Sequence, residues 1–452
     1  MEKNKIHELE IIDMGMNFEG IAKVGGKTIF VPGAIVGERV KAKVIKDTKS
    51  YAIGKIEEII EKSKHRVESD CEYLSRCGGC DARHMEYSFT LKVKKSIVEN
   101  TLKKEGVDIS KIGDIYGIGL PYNYRNKVQY PVRNINGKNV MGMFSKRSHS
   151  IITVTDCKLQ DRRLNEVAKE MFNLAINSGL QGYDETNKTG DIKNIMVRVG
   201  THTDEILCIY VVSNEKIVNS DKMKQIVDIL SKDERIKGIV LNINTEDTNV
   251  ILSNNNALMY GNDEIHDIIG DNTFSISTNS FFQVNTIGAE LLYGILKGNM
   301  KLQKTETVLE LYSGVGTIGI SLAHSVKKVY GVEIIEDAVK MAEKNCKINN
   351  IQNAEYICGD AKEELEKLRN KVIYFDCLVV DPPRKGLDKE GIELILKMKP
   401  KKIGYISCNA ATLARDIKML SDNYTVKCID IVDLFPWTGH SEVVTVLEIK
   451  NA

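Results

Sequence analysis

The chain has 452 residues, with 63 Lys and Arg against 62 Asp and Glu and a hydrophobic content of 42%. At about 100–200 residues per domain this length predicts two to four domains, and the composition excludes a disordered chain or a collagen-like fibre. A net charge of +1 argues against a generic nucleic-acid binder on charge alone, because such affinity comes mostly from neutralised phosphates.

The opening Met1-Glu2-Lys3-Asn4-Lys5 has neither the apolar core nor the cleavage site of a signal peptide. No apolar run approaches the roughly 18 residues that span a bilayer. A cytoplasmic chain without a membrane partner is expected. The ten cysteines then read as metal ligands, catalytic thiols or packing rather than as a disulfide framework.

Residues 1–60 read as five short strands, at 9–14, 20–24, 28–31, 39–45 and 52–59, broken at Gly25-Gly26 and Pro32-Gly33. Short strands with glycine turns at this density predict a small barrel. Residues 61–90 are polar, carry three cysteines and show no period. Residues 91–104 read as a helix, with Leu91, Ile97, Val98 and Leu102 beside a cluster of lysines.

The stretch 117–155 contains Arg125, Lys127, Arg133, Lys138, Lys146 and Arg147 and no acid, with Tyr122, Tyr124, Tyr130 and Phe144 interleaved. Basic residues with aromatics suit a phosphate backbone and stacked, unpaired bases. A solvated basic face over core tyrosines fits the same pattern. Strands follow at 194–199, 206–212 and 238–244, with a helix at 220–231. From about residue 305 strand and helix alternate to the end, which predicts a parallel sheet with crossover helices.

Cys71, Cys77 and Cys80 place three thiols within ten residues, a donor set for zinc or an iron–sulfur cluster. Cys157 is the best candidate for a fourth ligand, since it follows a strand-like stretch at 150–154 among polar residues. Cys208, in an apolar strand, reads as core. A redox Cys-x-x-Cys would account for Cys77 and Cys80 but not for Cys71. The spacing leaves zinc and iron–sulfur both open.

In the C-terminal third an apolar strand at 308–312 runs into Ser313-Gly314-Val315-Gly316-Thr317-Ile318-Gly319. Glycines in such a turn let the backbone approach a ligand. Glu333 ends a second strand, 17 residues past Gly316, where a carboxylate can accept hydrogen bonds from ribose hydroxyls. Asp360 ends a third strand, within reach of an adenine. The loop lacks the full dinucleotide fingerprint and the Lys-Ser/Thr of a phosphate loop. A nucleoside without phosphates fits better, which points to S-adenosylmethionine.

Three further features sit at strand ends, where open α/β sheets build their sites. The first is Asp381, followed by Pro382-Pro383. The second is Cys408, just before a helix at 412–420, where exposed amides favour a thiolate. The third is Glu442, at the start of a closing strand and preceded by His440. A pyrimidine ring needs such a set. Carbon-5 of uracil becomes nucleophilic once a thiolate has added at carbon-6, and a base must later remove the carbon-5 proton. Cys408 and Glu442 suit those two roles, and Asp381 could orient the ring. A target uridine would have to leave its stack to reach Cys408.

Ser407-Cys408-Asn409-Ala410-Ala411-Thr412-Leu413-Ala414-Arg415-Asp416, Thr438-Gly439-His440-Ser441-Glu442 and Ser280-Phe281-Phe282-Gln283-Val284-Asn285 resemble signatures of the RNA uracil-5-methyltransferase family. The resemblance implies that Cys408 is the nucleophile and Glu442 the base. It places Gln283, Tyr312, Thr317, Glu333, Asp360 and Asp381 on contacts to S-adenosylmethionine or uracil, beside the donor-loop Gly314 and Gly316, and puts Phe281 in the substrate pocket with Asp381. The sequence departs at Thr317 and Asp360, where some members carry Asn, and at Pro383, where some carry Ala. The cysteine pattern is similar to that of the ribosomal RNA members, which implies a 4Fe-4S cluster on Cys71, Cys77, Cys80 and Cys157. Residues 19–22 and 30–33 resemble the TRAM domain, an RNA-binding module.

The implied architecture is a TRAM-like, OB-like β-barrel (1–62), an iron–sulfur-containing α+β central domain (63–280) and a seven-stranded doubly wound S-adenosylmethionine methyltransferase domain (281–452). Helix 91–104 is a candidate to pack on the last of these. The implied reaction is methylation of carbon-5 of a uridine in 23S ribosomal RNA, in a single-stranded or loop segment, with no obligate protein partner evident. Barrel and cluster together point to ribosomal rather than transfer RNA. Transfer-RNA uracil-5- and RNA cytosine-5-methylation are the nearest alternatives. From other classes come a metal-dependent oxidoreductase and a non-catalytic iron–sulfur RNA-binding protein.

Overall fold

The computed structural model describes residues 2–146, 148–154, 156–370 and 374–450; Arg147 and Thr155 of the basic stretch lie outside them. Alternation of apolar and polar residues shapes the N-terminal barrel. Its strands are Ile6–Glu10, Asp13–Met14, Glu19–Val24, Lys27–Pro32, Arg39–Asp47 and Tyr51–Glu61. Val40, Ala42 and Val44 point inward to meet Leu9, Ile29, Val31 and Ala52, the period-2 pattern of a half-buried strand. The single strand expected at 9–14 is two pieces. At Ile11 the chain turns to bond elsewhere, its N–H donating to the Glu38 carbonyl at 2.9 Å and its carbonyl accepting from Gly37 at 2.8 Å.

The chain groups into two units whose limits differ from the expected ones. The first holds Met1–Pro121, Pro382–Ile392 and Tyr405–Ala452, and the second holds Tyr122–Asp381 and Glu393–Gly404. In the first, Met14, Phe18 and Ile35 of the barrel share a core with Ala82, Met85 and Val93. The helix Tyr87–Lys104 begins one turn before the expected start and packs on the strand Ile112–Gly117 and the helix Ala410–Leu420. The same unit carries Glu442–Ile449 antiparallel to Tyr424–Asp433, with Ile112–Gly117 parallel to the latter. Ile112–Gly117 is thus an edge strand supplied from far upstream.

The second unit contains a six-stranded sheet in the order Asn256–Gly261, Ile236–Ile243, Ile206–Val212, Ile192–Val199, Lys127–Ile135, Lys138–Met141. The helices Arg162–Asn177 and Asp221–Leu230 complete its core. Ser220 caps the second helix, its hydroxyl accepting from the Met223 N–H at 3.2 Å. The unit also contains the parallel strands Ala354–Cys358, Lys328–Glu333, Thr307–Leu311 and Cys377–Val380, in that spatial order. Chain order reverses between Thr307–Leu311 and Cys377–Val380. Such a switch point opens a crevice beyond the strands' C-terminal ends, where Tyr312–Gly316 and Asp381 lie. Among the described residues no helix is long and apolar enough to cross a membrane.

Candidate active site

The donor side is built where the buried strand Thr307–Leu311 ends. The backbone turns left-handed at Tyr312 (φ 62°), Gly314 (φ 54°) and Gly316 (φ 81°). A Cβ on Gly316 would lie 2.8 Å from the Tyr356 hydroxyl, so glycine is required there by both conformation and space. Thr317 opens the helix Thr317–Ala323 with its hydroxyl 3.1 Å from that of Tyr293. Glu333 is fixed at the crevice by two amides, accepting from Gly314 N–H and Ile335 N–H, each at 3.0 Å. Asp360 has one oxygen committed, accepting from the Lys362 N–H at 2.9 Å, where it caps the helix Ala361–Asn370.

Two carboxyl groups here are far from their ordinary behaviour. Burial pushes Asp381 up to about 7, although part of the residue keeps some surface. Glu310, inside the strand, is pushed up to about 8, first by burial and further by the charges of Asp381 and Glu333. One of its oxygens accepts from the Gly319 N–H at 3.1 Å, and the other is buried without a partner among the described residues. Glu310 is not among the residues expected at the site. Its signal was a lone acid within an apolar strand.

Phe281 and Gln283 follow the strand Asn272–Ser277. Phe281 is 69% exposed. Gln283 is anchored through its backbone, whose carbonyl accepts from Asn126 Nδ2 at 2.8 Å. The same loop is gripped by Arg198, which donates to the Ser280 carbonyl at 2.6 Å and to that of Thr278 at 3.2 Å.

Cys408 is half-buried between the strand Lys402–Ser407 and the helix Ala410–Leu420. The next residue locks the turn. The Asn409 side chain accepts from the Ala411 N–H at 3.1 Å and donates to the Arg384 carbonyl at 3.1 Å. In sheet order Lys402–Ser407 adjoins Glu442–Ile449, so Cys408 follows the end of one strand and Glu442 starts its neighbour. Glu442 is 5% exposed. The loop before it is held by a lysine that sequence reasoning did not single out. Lys94 Nζ donates to Asp433 Oδ1 at 2.6 Å, to the His440 carbonyl at 2.6 Å and to the Phe435 carbonyl at 3.1 Å. Burial lowers the Lys94 pKa, opposed by Asp433 and more weakly by Asp81 and Glu442. His440 faces Arg384 at 3.4 Å, a positioning contact.

The cysteine segment is irregular. Cys71, Cys77, Cys80 and Cys157 are all half-buried and outside any disulfide, and the Gly79 N–H donates to Cys77 Sγ at 3.4 Å. Three thiols in a short loop, one with an amide donor, suit a thiolate-bound metal chemically. Among the described residues no group of three or more His, Cys, Asp or Glu side chains is gathered as a metal site. The segment also touches the loop before Glu442. Asp81 and Ala82 N–H both donate to the Trp437 carbonyl, at 2.8 and 3.1 Å.

The basic stretch divides in the structure. Tyr124 and Tyr130 are buried, and the Tyr130 hydroxyl donates to Gln160 at 2.7 Å, so both are core rather than stacking platforms. Arg133 is neutralised by Glu185 at 2.6 Å. Arg125 and Lys127 have no such partner among the described residues.

The family described as tRNA (Uracil-5-)-methyltransferase matches residues 86–450, and the TRAM domain matches residues 2–56. An uncharacterized RNA methyltransferase of Clostridium acetobutylicum is 41% identical over 99% of this chain and 98% of its own. One of Oceanobacillus iheyensis is 39% identical over 100% and 98%. Among solved structures, the Pyrococcus abyssi tRNA (uracil-54, C5)-methyltransferase in complex with S-adenosyl-L-homocysteine is 23% identical. It superposes with a TM-score of 0.77 over 98% of this chain and 100% of that chain. This likeness establishes the fold: a methyltransferase α/β sheet with an N-terminal TRAM barrel.

Proposed function

The chain belongs to the tRNA (uracil-5-)-methyltransferase family, and we propose that it methylates carbon-5 of a uridine in 23S ribosomal RNA through a covalent cysteine–uracil adduct. The observation that carries this reading is the placement of Cys408 just past the end of one strand and of Glu442 at the start of the adjacent one. S-adenosylmethionine, when bound, supplies an electrophilic methyl group. Tyr312, Gly314, Gly316 and Thr317 would line it, Glu333 and Asp360 would meet its ribose and adenine, and Gln283 and Asp381 its methionine end.

The chain's own residues do the rest. The Cys408 thiolate adds to carbon-6 of uracil, forming a carbon–sulfur bond and an enolate. Carbon-5 of the enolate takes the methyl group. Glu442 then removes the carbon-5 proton, the electron pair re-forms the ring double bond, and the thiolate leaves. Asp381 and Phe281 orient the ring. Lys94 acts on Glu442 by fixing the 433–440 loop and, more weakly, through its charge. A 4Fe-4S cluster on Cys71, Cys77, Cys80 and Cys157 would be structural, since no step above moves a single electron. Brown anaerobic protein with about four irons per chain supports it, and stoichiometric zinc without visible absorbance overturns it.

Cys408→Ala is expected to abolish methyl transfer while leaving S-adenosylhomocysteine binding intact; retained transfer overturns the assignment. Transfer RNA is the second reading. The barrel does not separate the two targets, because the Pyrococcus abyssi transfer-RNA enzyme matches 98% of this chain. Mapping 5-methyluridine in both RNAs, with and without the protein, decides between them.

A further inference from the structure

Three cations, Arg125, Lys127 and Arg198, border the loop that carries Phe281 and Gln283, and among the described residues no carboxylate pairs with them. Lys127 and Arg198 are direct cross-strand partners in the antiparallel pair of Lys127–Ile135 with Ile192–Val199. Like charges placed opposite one another are destabilising. Arg198 is 5% exposed. Its Nε, and that of Arg125, are buried without a hydrogen-bond partner among the described residues. The charges acting on Lys127 are Arg198 and Arg125, both positive, and together with burial they push its ammonium down to about 8. An unpaired, desolvated cation cluster is costly to maintain unless an anion completes it.

The geometry gives the anion's place. Asn126, between Arg125 and Lys127, donates to the Gln283 carbonyl at 2.8 Å and to Thr286 Oγ1 at 2.9 Å. Arg198 spends one guanidinium nitrogen on the carbonyls of Thr278 and Ser280 and keeps Nε free. The cations therefore adjoin the base of the segment from which Phe281 projects. An exposed aromatic ring beside fixed cations is the combination that holds a nucleotide, the ring meeting a base and the cations its phosphate.

We propose that Arg125, Lys127 and Arg198 form a phosphate subsite that takes a backbone phosphodiester of the RNA segment presented at Phe281. This rests on the reading of the protein as an RNA methyltransferase. It adds a specific contact to the general affinity of a basic surface.

The test uses full-length Lys127→Gln and Lys127→Arg with a ribosomal RNA transcript that the wild type methylates. Lys127→Gln is expected to weaken RNA binding about tenfold. The slope of log affinity against log salt should become shallower by about 0.7, the loss of one single-strand phosphate contact. S-adenosylhomocysteine affinity should stay unchanged, and Lys127→Arg should restore RNA binding. Because the replaced cation is unpaired, the thermal midpoint of free Lys127→Gln is expected to rise, whereas a purely structural lysine would lower it. An unchanged salt slope, a lowered midpoint, or a loss of S-adenosylhomocysteine affinity (the mark of a site for the donor's carboxylate) would each overturn the subsite. Those results leave the methyltransferase reading standing, while a wild type that transfers no methyl group to RNA removes that reading itself.

Discussion

Lys94 brings a full charge into the interior, 1% exposed against Asp433 at 0%. Removing one partner of a buried pair leaves the other charge uncompensated and typically costs about 3–5 kcal/mol. Lys94→Met is therefore expected to lower unfolding stability by that order in urea titration. It should also depress kcat, because the Phe435 and His440 carbonyls lose their common donor just before Glu442. Lys94→Met combined with Asp433→Leu should recover much of the stability and little of the rate. Glu310 gives a pH prediction. Its folded pKa of about 8 lies above the ordinary value, so its stabilising effect is complete at low pH and is lost as pH rises toward 8. Asp381, at about 7, acts in the same direction. The wild-type thermal midpoint should fall between pH 5 and pH 8, and Glu310→Gln, which keeps an acceptor for the Gly319 amide, should flatten that fall. Cys408 and Glu442 are proposed from local motifs, Ser407-Cys408-Asn409 and His440-Ser441-Glu442. Lys94 has no such motif: Lys92, Lys94 and Lys95 look alike in sequence, and only packing decides which one turns inward.

Elements were legible where their period was clean. The strand expected at 206–212 is the observed Ile206–Val212, and the helix read at 220–231 is Asp221–Leu230 between Ser220 and Ser231 caps. The edge strand Ile112–Gly117 was missed, because its exposure pattern follows no alternation and its partner Tyr424–Asp433 lies some three hundred residues away. The turn after Thr307–Leu311 was legible because its glycines are forced. Gly316 stands at φ 81° with the Tyr356 ring over it. An L-residue in that conformation costs roughly 1–2 kcal/mol before any clash. Gly316→Ala is expected to lose at least that much stability and to weaken S-adenosylhomocysteine binding at least tenfold by calorimetry. Gly314, also left-handed at φ 54° but with open space around it, should tolerate Asn with a smaller loss.

At the scale of the whole molecule the barrel is more than an appendage. Phe18, 1% exposed, is part of the same core as Met85 and Val93, and Val93 adjoins Lys94 in the helix that holds the 433–440 loop. A second tie runs through Gly439, where a Cβ would strike the Met16 carbonyl of the barrel's first loop. A boundary at residue 62 could be drawn from composition, but composition does not show that an apolar face on one side of it is completed by the other. The chain has one tryptophan, Trp437. Its ring N–H donates to the Pro121 carbonyl at 3.0 Å and its carbonyl accepts from Asp81 and Ala82, so its fluorescence reports on this junction from outside the barrel. If the barrel folded separately, Phe18→Ala would leave the Trp437 transition where it was. Because the core is shared, emptying it should destabilise by about 3–5 kcal/mol and move the Trp437 midpoint in urea by a matching amount. Exposed barrel lysines provide the contrast: Lys49→Gln with Lys55→Gln should weaken RNA binding in a salt-dependent way and leave that midpoint unmoved.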